Sequence, residues 1–92
     1  MATDDLTLVK RVRDGDQRAF KLLVERYQRK VYAVALGMLK DKEEAMDVSQ
    51  EAFVKAYLAL GRFREGAPFR PWLLQIVVNE ARNRRKSAGR RV

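Results

Sequence analysis

The residues of this chain best suited to chemistry are amide and basic side chains that recur along one predicted helix. From Trp72 onward, the polar positions repeat every three or four residues: Gln75, Asn79, Arg82, Asn83 and Lys86. Side chains with this spacing share one face of an α-helix. Amide and guanidinium groups hydrogen-bond to base edges and phosphate oxygens, so the stripe predicts a contact with nucleic acid. For Gln75 alone, an ordinary solvated surface is the simpler interpretation.

The distribution of charge points the same way. Residues 79–92 contain six basic residues and one acidic residue, Glu80, and so account for +5 of the formal net charge of +8. A concentration of positive charge favours a polyanionic partner, most often nucleic acid. A soluble surface that happens to be basic is the simpler alternative, and the clustering of the charge argues against it.

The loop before this helix interleaves arginine with phenylalanine: Arg62, Phe63, Arg64, Phe69 and Arg70. This composition suits single-stranded nucleic acid, because bases stack on aromatic rings while phosphates meet guanidinium groups. Phe69 and Trp72 fit core positions equally well, and for Trp72 the core is favoured. Phe63, inside the loop itself, is left as the open case.

A second helical face, one helix earlier, combines acidic, amide and apolar groups. At 100° per residue the core side of that helix is formed by Ala45, Ser49, Ala52, Phe53, Ala56 and Leu60. The opposite side is formed by Asp47, Gln50, Glu51, Val54 and Leu58. Favourable charge at a helix N-terminus explains the acids that come before Asp47, but it does not explain this outward stripe. The stripe predicts a protein-contact surface, and a solvated face is the alternative. Because this stripe and the basic stripe lie on different helices, we predict that the protein-contact surface and the nucleic-acid surface face different sides of the molecule.

The residue inventory excludes several classes of protein. The chain has no histidine and no cysteine, which removes Ser-His-Asp hydrolases, thiolate metal sites and zinc enzymes. It also has no Gly-rich phosphate loop, so we predict no enzyme, no cofactor and no metal. Because no apolar run approaches the roughly 20 residues that span a bilayer, membrane insertion is not expected.

The elements that carry these residues are predicted to be helices throughout, because apolar residues recur at helical and never at alternating spacing. The predicted helices cover about 4–14, 17–39, 41–61, and a last segment that begins at Pro68 or Pro71 and fades near Ser87–Gly89. Gly15 is expected to end the first helix, with Asp16 and Asp41 capping the next two. The predicted fold is all-α, a compact bundle of about four helices in one domain.

These motifs together resemble region 2 of bacterial sigma factors of the extracytoplasmic-function (ECF) group, within the sigma-70 family. The matching runs are DVSQEAFVKAYLALGRF and FREGAPFRPWLLQIVVNEARNRRK, which contain D-x-x-Q-E-x-F, F-x-x-W-L-x-x-I and two asparagines four residues apart. The earlier G-x-x-x-A-F-x-x-L-x-x-x-Y, from Gly15 to Tyr27, fits the same pattern. The resemblance spans roughly residues 5–87.

The resemblance implies two binding activities in a cytoplasmic bacterial transcription initiation factor. One is binding to the β′ clamp coiled coil of core RNA polymerase, through Asp47, Gln50 and Glu51, to which the face analysis adds Val54 and Leu58. The other is recognition and melting of the promoter −10 element, by capture of bases of the non-template strand. The DNA-binding candidates are Arg62, Phe63, Arg64, Asn79, Arg82, Asn83, Arg85 and Lys86. An anti-sigma factor is an expected further partner.

The sequence also departs from the family pattern. Tyr57 stands where relatives often have Trp, and Pro71 replaces a non-proline residue, a change that could reshape the loop. Nothing corresponds to the second domain, region 4, so we expect residues 1–87 to form region 2 and residues 88–92 to begin a basic interdomain linker. The alternative functions are a stand-alone basic helical regulator that binds duplex DNA, and a pure interaction module for a protein inhibitor.

Overall fold

The computed structural model describes residues 3–64 and 66–90, with side chains up to residue 86. Four α-helices follow one another: α1 Asp5–Arg13, α2 Gln17–Leu39, α3 Lys42–Ala59 and α4 Phe69–Arg90. A short 3-10 turn, Leu60–Arg62, follows α3 directly. The described ranges contain no strand, and the predicted all-α bundle of four helices is confirmed.

Aspartates begin the first three helices by accepting hydrogen bonds from backbone N–H groups of the first turn. Asp4 accepts from Thr7 at 2.8 Å, Asp16 from Arg18 at 3.1 Å, and Asp41 from Glu44 at 2.9 Å. The bond from Thr7 holds the pKa of Asp4 below its usual value. The caps predicted at Asp16 and Asp41 are thus confirmed, and each satisfies a donor that a helix N-terminus leaves unpaired.

Two left-handed residues end the first two helices. Gly15, after α1, has φ of +100°, a conformation that costs glycine little because it has no Cβ. Lys40, after α2, adopts the same region with φ of 56°, and its N–H donates to the carbonyl of Leu36 at 2.8 Å. These residues turn the chain sharply, so that α1, α2 and α3 fold back against one another.

Small side chains on α3 allow the helices to pack closely. Ala45, Ala52 and Ala56 are fully buried, and Ser49 is buried with its hydroxyl donating to the carbonyl of Ala45 at 2.7 Å. Larger buried side chains from the other helices fill the space around them: Leu8, Leu23, Val31, Leu73 and Val77. Val48 is buried as well, which widens the core face of α3 beyond the residues that the sequence pattern identified.

The last helix starts between the two prolines and is longer than predicted. Pro68 lies immediately before α4, and Pro71 lies in its first turn, where its missing N–H breaks no intrahelical bond. The expectation that the helix fades near Ser87–Gly89 is wrong, because α4 continues to Arg90. The helix passes through Ser87 and Gly89 because neither residue breaks an α-helix: glycine costs about 1 kcal/mol relative to alanine, and serine costs less. Of the predicted linker, residues 91–92 lie outside the described residues.

Candidate nucleic-acid interface

The predicted polar stripe of α4 is exposed along its described length. Its members all face solvent: Gln75, Asn79, Arg82, Asn83 and Lys86. The Gln75 amide donates to Asn79 Oδ1 at 3.0 Å, which orients the Asn79 side chain on the surface. Arg85 is exposed beside the stripe. The structure therefore brings the α4 candidates onto one basic, hydrogen-bonding surface.

Phe63, a DNA-binding candidate whose ring the sequence left open between core and loop surface, does not offer a stacking surface in this structure. The ring is only 3% exposed. Its centroid lies 5.0 Å from that of Trp72 and 6.0 Å from that of Phe69, both in edge-to-face geometry. Burial of an aromatic surface against other rings is favourable, and this contact draws Phe63 inward. Phe63 thus anchors the loop from beneath, while its neighbours Arg62 and Arg64 are exposed.

The outward stripe of α3 is also exposed. Asp47, Gln50 and Glu51 face solvent, and Val54 and Leu58 are 56% and 72% exposed. Tyr57, at 40% exposure, adds an aromatic ring beside these two apolar residues and packs edge-to-face on Phe20. A cluster of large exposed apolar side chains next to acidic groups fits a surface that contacts another protein.

Among the described side chains, two ion pairs join α3 to α4. Arg84 donates to Asp47 Oδ2 at 2.5 Å, and Lys55 donates to Glu80. The carboxylate of Asp47 raises the pKa of Arg84, and the hydrogen bond to Glu80 raises the pKa of Lys55. Arg84 is therefore directed toward α3, whereas Arg82, Arg85 and Lys86 face solvent.

The two candidate surfaces adjoin each other, which corrects the prediction of a two-sided molecule. A groove of about 440 Å³ runs between α3 and α4, and its lining includes Leu58 from one candidate surface and Asn79 and Asn83 from the other. Arg62 lies at the same groove. The reason is geometric: the exposed stripes belong to neighbouring helices, and the flanks of both stripes meet where the helices pack.

Sequence reasoning missed the residues that form this seam, which are Lys55, Glu80 and Arg84. A signal for them was present. Glu80 and Arg84 are four residues apart on one flank of α4, and Asp47, Glu51 and Lys55 follow the same spacing on α3. The spacing places each set on one side of its helix, but which flank faces the other depends on how the helices cross.

The described residues were also compared with the requirements of a metal site and of a membrane-spanning helix. Within 3–64 and 66–90, no three or more acidic side chains come together as a metal site would require. None of the helices in these ranges is long and apolar enough to cross a membrane.

Comparison with known proteins decides the family. Residues 23–91 match the family model of Sigma-70 region 2. The chain belongs to the sigma-70 region 2 family. Among curated relatives of this region 2 chain, the RNA polymerase sigma-H factor of Pseudomonas aeruginosa is 49% identical over 87 residues. The ECF RNA polymerase sigma-E factor of Escherichia coli strain K12 is 49% identical over the same length. Each alignment covers 95% of this chain and 45% of the relative, so the chain spans about half the length of these relatives.

Two solved structures are similar to this region 2 domain over most of its length. An NMR structure of an engineered region 2 of sigmaE in complex with GTAAAA superposes with a TM-score of 0.92 at 45% identity, covering 100% of this chain and 98% of that one. The structure of CnrH in complex with the cytosolic domain of CnrY gives a TM-score of 0.81 at 35% identity, covering 86% of this chain and 51% of that one. The region 2 fold inferred from the motifs is confirmed.

Proposed function

We propose that this domain recognises the −10 promoter element by binding bases and phosphates of the non-template strand along α4 and the preceding loop. The observation that carries the proposal is the exposed basic stripe of α4 in a fold that matches a region 2 solved with GTAAAA. The proposed contacts are Arg62, Arg64, Asn79, Arg82, Asn83, Arg85 and Lys86. Phe63 acts indirectly, by holding the loop that carries two of these arginines.

Asparagine and arginine have different roles in this proposal. Asn79 and Asn83 present amides, which pair with base edges and so contribute sequence preference. Arg82, Arg85 and Lys86 present cations, which contact phosphates and contribute affinity that falls with salt. Base capture itself requires unstacking, which costs a few kcal/mol and is lowest for a strand that is already open. The domain is therefore expected to favour single-stranded over duplex DNA.

The DNA-binding proposal is tested with fluorescent oligonucleotides at low salt. We expect the chain to bind a single strand containing GTAAAA more tightly than a scrambled strand of equal composition or the matching duplex. Arg82→Ala should weaken binding to every single strand and lower the salt slope by roughly 0.7, because one phosphate contact is lost. Asn79→Ala should reduce the preference for GTAAAA over the scrambled strand.

Lys30→Ala serves as a matched control, because Lys30 is an exposed cation on α2 outside the proposed surface. If the chain preferred duplex DNA, the proposed single-strand recognition would be wrong and binding to duplex DNA, as in a stand-alone regulator, would replace it. If Arg82→Ala bound as the wild type does, α4 would not be the DNA surface.

We propose that the outward face of α3 binds the β′ clamp coiled coil of core RNA polymerase. The proposal rests on the exposure of Asp47, Gln50, Glu51, Val54 and Leu58, and on membership of a family whose curated relatives are named RNA polymerase sigma factors. Apolar residues ringed by polar and acidic groups suit a helical partner that offers apolar and basic side chains.

The clamp proposal is tested by binding of the chain to core polymerase or to the isolated clamp helices. Gln50→Ala and Glu51→Lys should each reduce binding at least several-fold while leaving the helical circular dichroism and the unfolding transition unchanged. Glu25→Lys makes the same charge reversal at an exposed position of α2 and should bind as the wild type does. Normal binding by both α3 variants would exclude this face.

The proposed role as a sigma factor domain also implies a protein inhibitor as a partner and defines which residues form region 2. CnrH, whose structure is similar, is solved with the cytosolic domain of CnrY, which supports the proposal that this chain also binds a protein of that kind, an anti-sigma factor. The domain works by binding alone, without catalysis, in the bacterial cytoplasm. That residues 1–87 are region 2 and that 88–92 begin a linker stays a prediction.

A further inference from the structure

The helix α1 is bonded to the rest of the domain near both of its ends. At its start, Asp5 accepts hydrogen bonds from Arg26, at 2.7 Å, and from the hydroxyl of Tyr27. In its last turn, the Arg13 guanidinium donates to the carbonyl of Gly61 at 3.3 Å. Residues 5 and 13 lie roughly 12 Å apart along the helix axis, at a rise of about 1.5 Å per residue. Two bonds separated by this distance fix the direction of a helix as well as its position.

Both bonds lead to the loop that joins α3 to α4, residues 60–68. Gly61 lies in the 3-10 turn with which this loop begins. At the other end of the loop, the Tyr27 ring packs on Phe69, the first residue of α4, with ring centroids 5.8 Å apart. The bond to Gly61 therefore holds the start of the loop directly, whereas the tyrosine bonded to α1 acts on its end through an aromatic contact.

The helix α1 is itself firmly attached to the domain. Leu8 and Val9 are buried in the core. The Arg11 guanidinium donates to the Asp16 carboxylate at 2.9 Å, which ties the last turn of α1 to the start of α2. A helix that is packed on its inner side and bonded at its end to the next helix has little freedom to shift. For this reason α1 is a suitable support for a loop.

Aromatic contacts extend this support into the loop. Phe63 and Phe69 are each 3% exposed, and their ring centroids lie 6.0 Å apart. The Trp72 ring lies 5.0 Å from Phe63 and 5.7 Å from Phe69. Because protein interiors are close-packed, a displacement of one ring in this cluster affects the others. The backbone on either side of Phe63, which carries Arg62 and Arg64, is held by the same contacts.

The two loop arginines depend on this support for their position. Arg62 and Arg64 are exposed, and within the described residues neither side chain forms a hydrogen bond or an ion pair. The loop backbone is therefore what places both guanidinium groups. Binding that must first order such a group is weakened by about two- to ten-fold for each immobilised side chain. A loop that is ordered before DNA arrives avoids this loss.

We propose that α1 positions this loop for DNA binding without itself contacting DNA. Asp5, Arg13 and Tyr27 are positioning residues, whose bonds fix the two ends of the loop and thereby the exposed Arg62 and Arg64. This inference rests on the proposed recognition of the −10 strand. It gives α1, which lies outside both proposed binding surfaces, a role in that recognition.

The first test is made on the free domain and uses its single tryptophan, Trp72, which belongs to the aromatic cluster. In Tyr27→Phe and in Arg13→Gln, acrylamide should quench the Trp72 fluorescence more strongly than in the wild type, because the loop is held less firmly. Ala33→Gly is the matched control, since it weakens α2 at an exposed position and should leave the quenching unchanged while the domain is folded. Unchanged quenching in both test variants, or an equal increase in the control, would overturn the proposal.

The second test measures affinity for a single strand containing GTAAAA at low salt. Tyr27→Phe should weaken binding by about two- to ten-fold, although it changes no charge. In a background that lacks both loop arginines, Arg62→Ala with Arg64→Ala, the same substitution should have little further effect, because the groups that it positions are absent. In the Arg82→Ala background it should keep its full effect, since Arg82 lies on α4. A general loss of stability would instead act alike in every background.

Arg13→Gln removes a charge as well as a bond, so its dependence on the background distinguishes positioning from direct contact. A positioning role predicts that its effect on affinity disappears when Arg62 and Arg64 are absent. An undiminished effect in that background would mean that Arg13 contacts a phosphate itself, and would overturn its role as a positioning residue.

The two proposals fail differently. If Arg82→Ala weakens binding while Tyr27→Phe binds as the wild type does, or weakens binding equally in all three backgrounds, the DNA surface stands and the role of α1 is wrong. If the wild-type chain does not bind the strand at low salt, the DNA-binding proposal is overturned, and the inference that rests on it is overturned as well.

Discussion

Asp5, at the start of α1, accepts hydrogen bonds from two side chains of α2. Arg26 donates at 2.7 Å, and the hydroxyl of Tyr27 donates to the other carboxylate oxygen. The Tyr27 ring packs on Phe69 of α4, with centroids 5.8 Å apart. Burial, followed by the bond to Asp5, raises the pKa of Tyr27 from 10.0 to about 12. One phenol thus connects three helices and stays protonated at neutral pH.

Tyr27→Phe tests this connection at the level of one hydroxyl. We expect the variant to lose about 1.5 kcal/mol of unfolding free energy, since a hydrogen bond to a charged group is removed. Because the folded-state pKa is raised, the stabilisation is complete below pH 10 and is lost as the pH rises through 12. The difference between wild type and variant, measured by urea unfolding, should therefore shrink between pH 10 and 12.

Tyr32→Phe is the matched control for that measurement, because Tyr32 is a partly buried tyrosine on the same helix. Lysine and arginine titrations are common to all three proteins and cancel in the differences. A wild-type advantage over Tyr27→Phe that stayed constant up to pH 12 would contradict the assignment of the raised pKa to this hydroxyl.

At the scale of the element, α3 is the helix on which the polymerase proposal depends. Its beginning is set by Asp41, whose carboxylate accepts the N–H of Glu44, and by acids in the first turn that complement the helix dipole. Its buried side is largely alanine, which packs closely but contributes little apolar area per residue. The cap is therefore important for the stability of the helix that carries the proposed polymerase surface.

Asp41→Ala tests the contribution of the cap. We expect a loss of about 1 kcal/mol in unfolding free energy, because one N–H of the first turn loses its acceptor. Asp41→Asn keeps an oxygen at the same place and should remain close to the wild type. Urea unfolding of the three proteins at pH 7 provides the comparison, and equal stability of the alanine variant would show that α3 does not depend on this bond.

For the whole molecule, the important feature is that two candidate binding surfaces share a seam. Asp47 belongs to the proposed polymerase surface, yet in the free domain it pairs with Arg84 of the helix that carries the proposed DNA surface. The partners are 57% and 31% exposed, so water screens their attraction. Opening a pair of this kind therefore costs the fold little, so the pair leaves Asp47 available to the proposed partner.

A double-mutant cycle measures that cost. With Asp47→Asn, Arg84→Gln and the double variant, we expect a coupling in unfolding free energy below about 1 kcal/mol, which declines with added salt. A coupling of several kcal/mol that was insensitive to salt would contradict a weak seam. It would mean that Asp47 is committed to the fold and is not available to a partner.

Local sequence patterns predicted most of the helices, their caps and the exposed stripes, but they did not predict the end of α4 or the position of the Phe63 ring. Asp16 and Asp41 act as caps because a cap involves only residues two or three positions away. The predicted end of α4 came slightly too early, because serine and glycine lower helix propensity but do not by themselves end a helix. Phe63 was left open because the sequence of a loop does not state which ring faces the core.

The sequence by itself determined the four helices, the caps at Asp16 and Asp41, the faces exposed on α3 and α4, and the family, since each depends on residue type and short spacing. Only the tertiary structure decided which side chains meet across helices. Arg84 reaches Asp47 over 37 residues of separation, and Arg13 reaches Gly61 over 48. Such contacts depend on how the helices cross and pack, and helical periodicity contains no information about a crossing. For that reason the aromatic burial of Phe63, the shared α3–α4 seam and the bonds at the two ends of α1 emerged only from the folded domain.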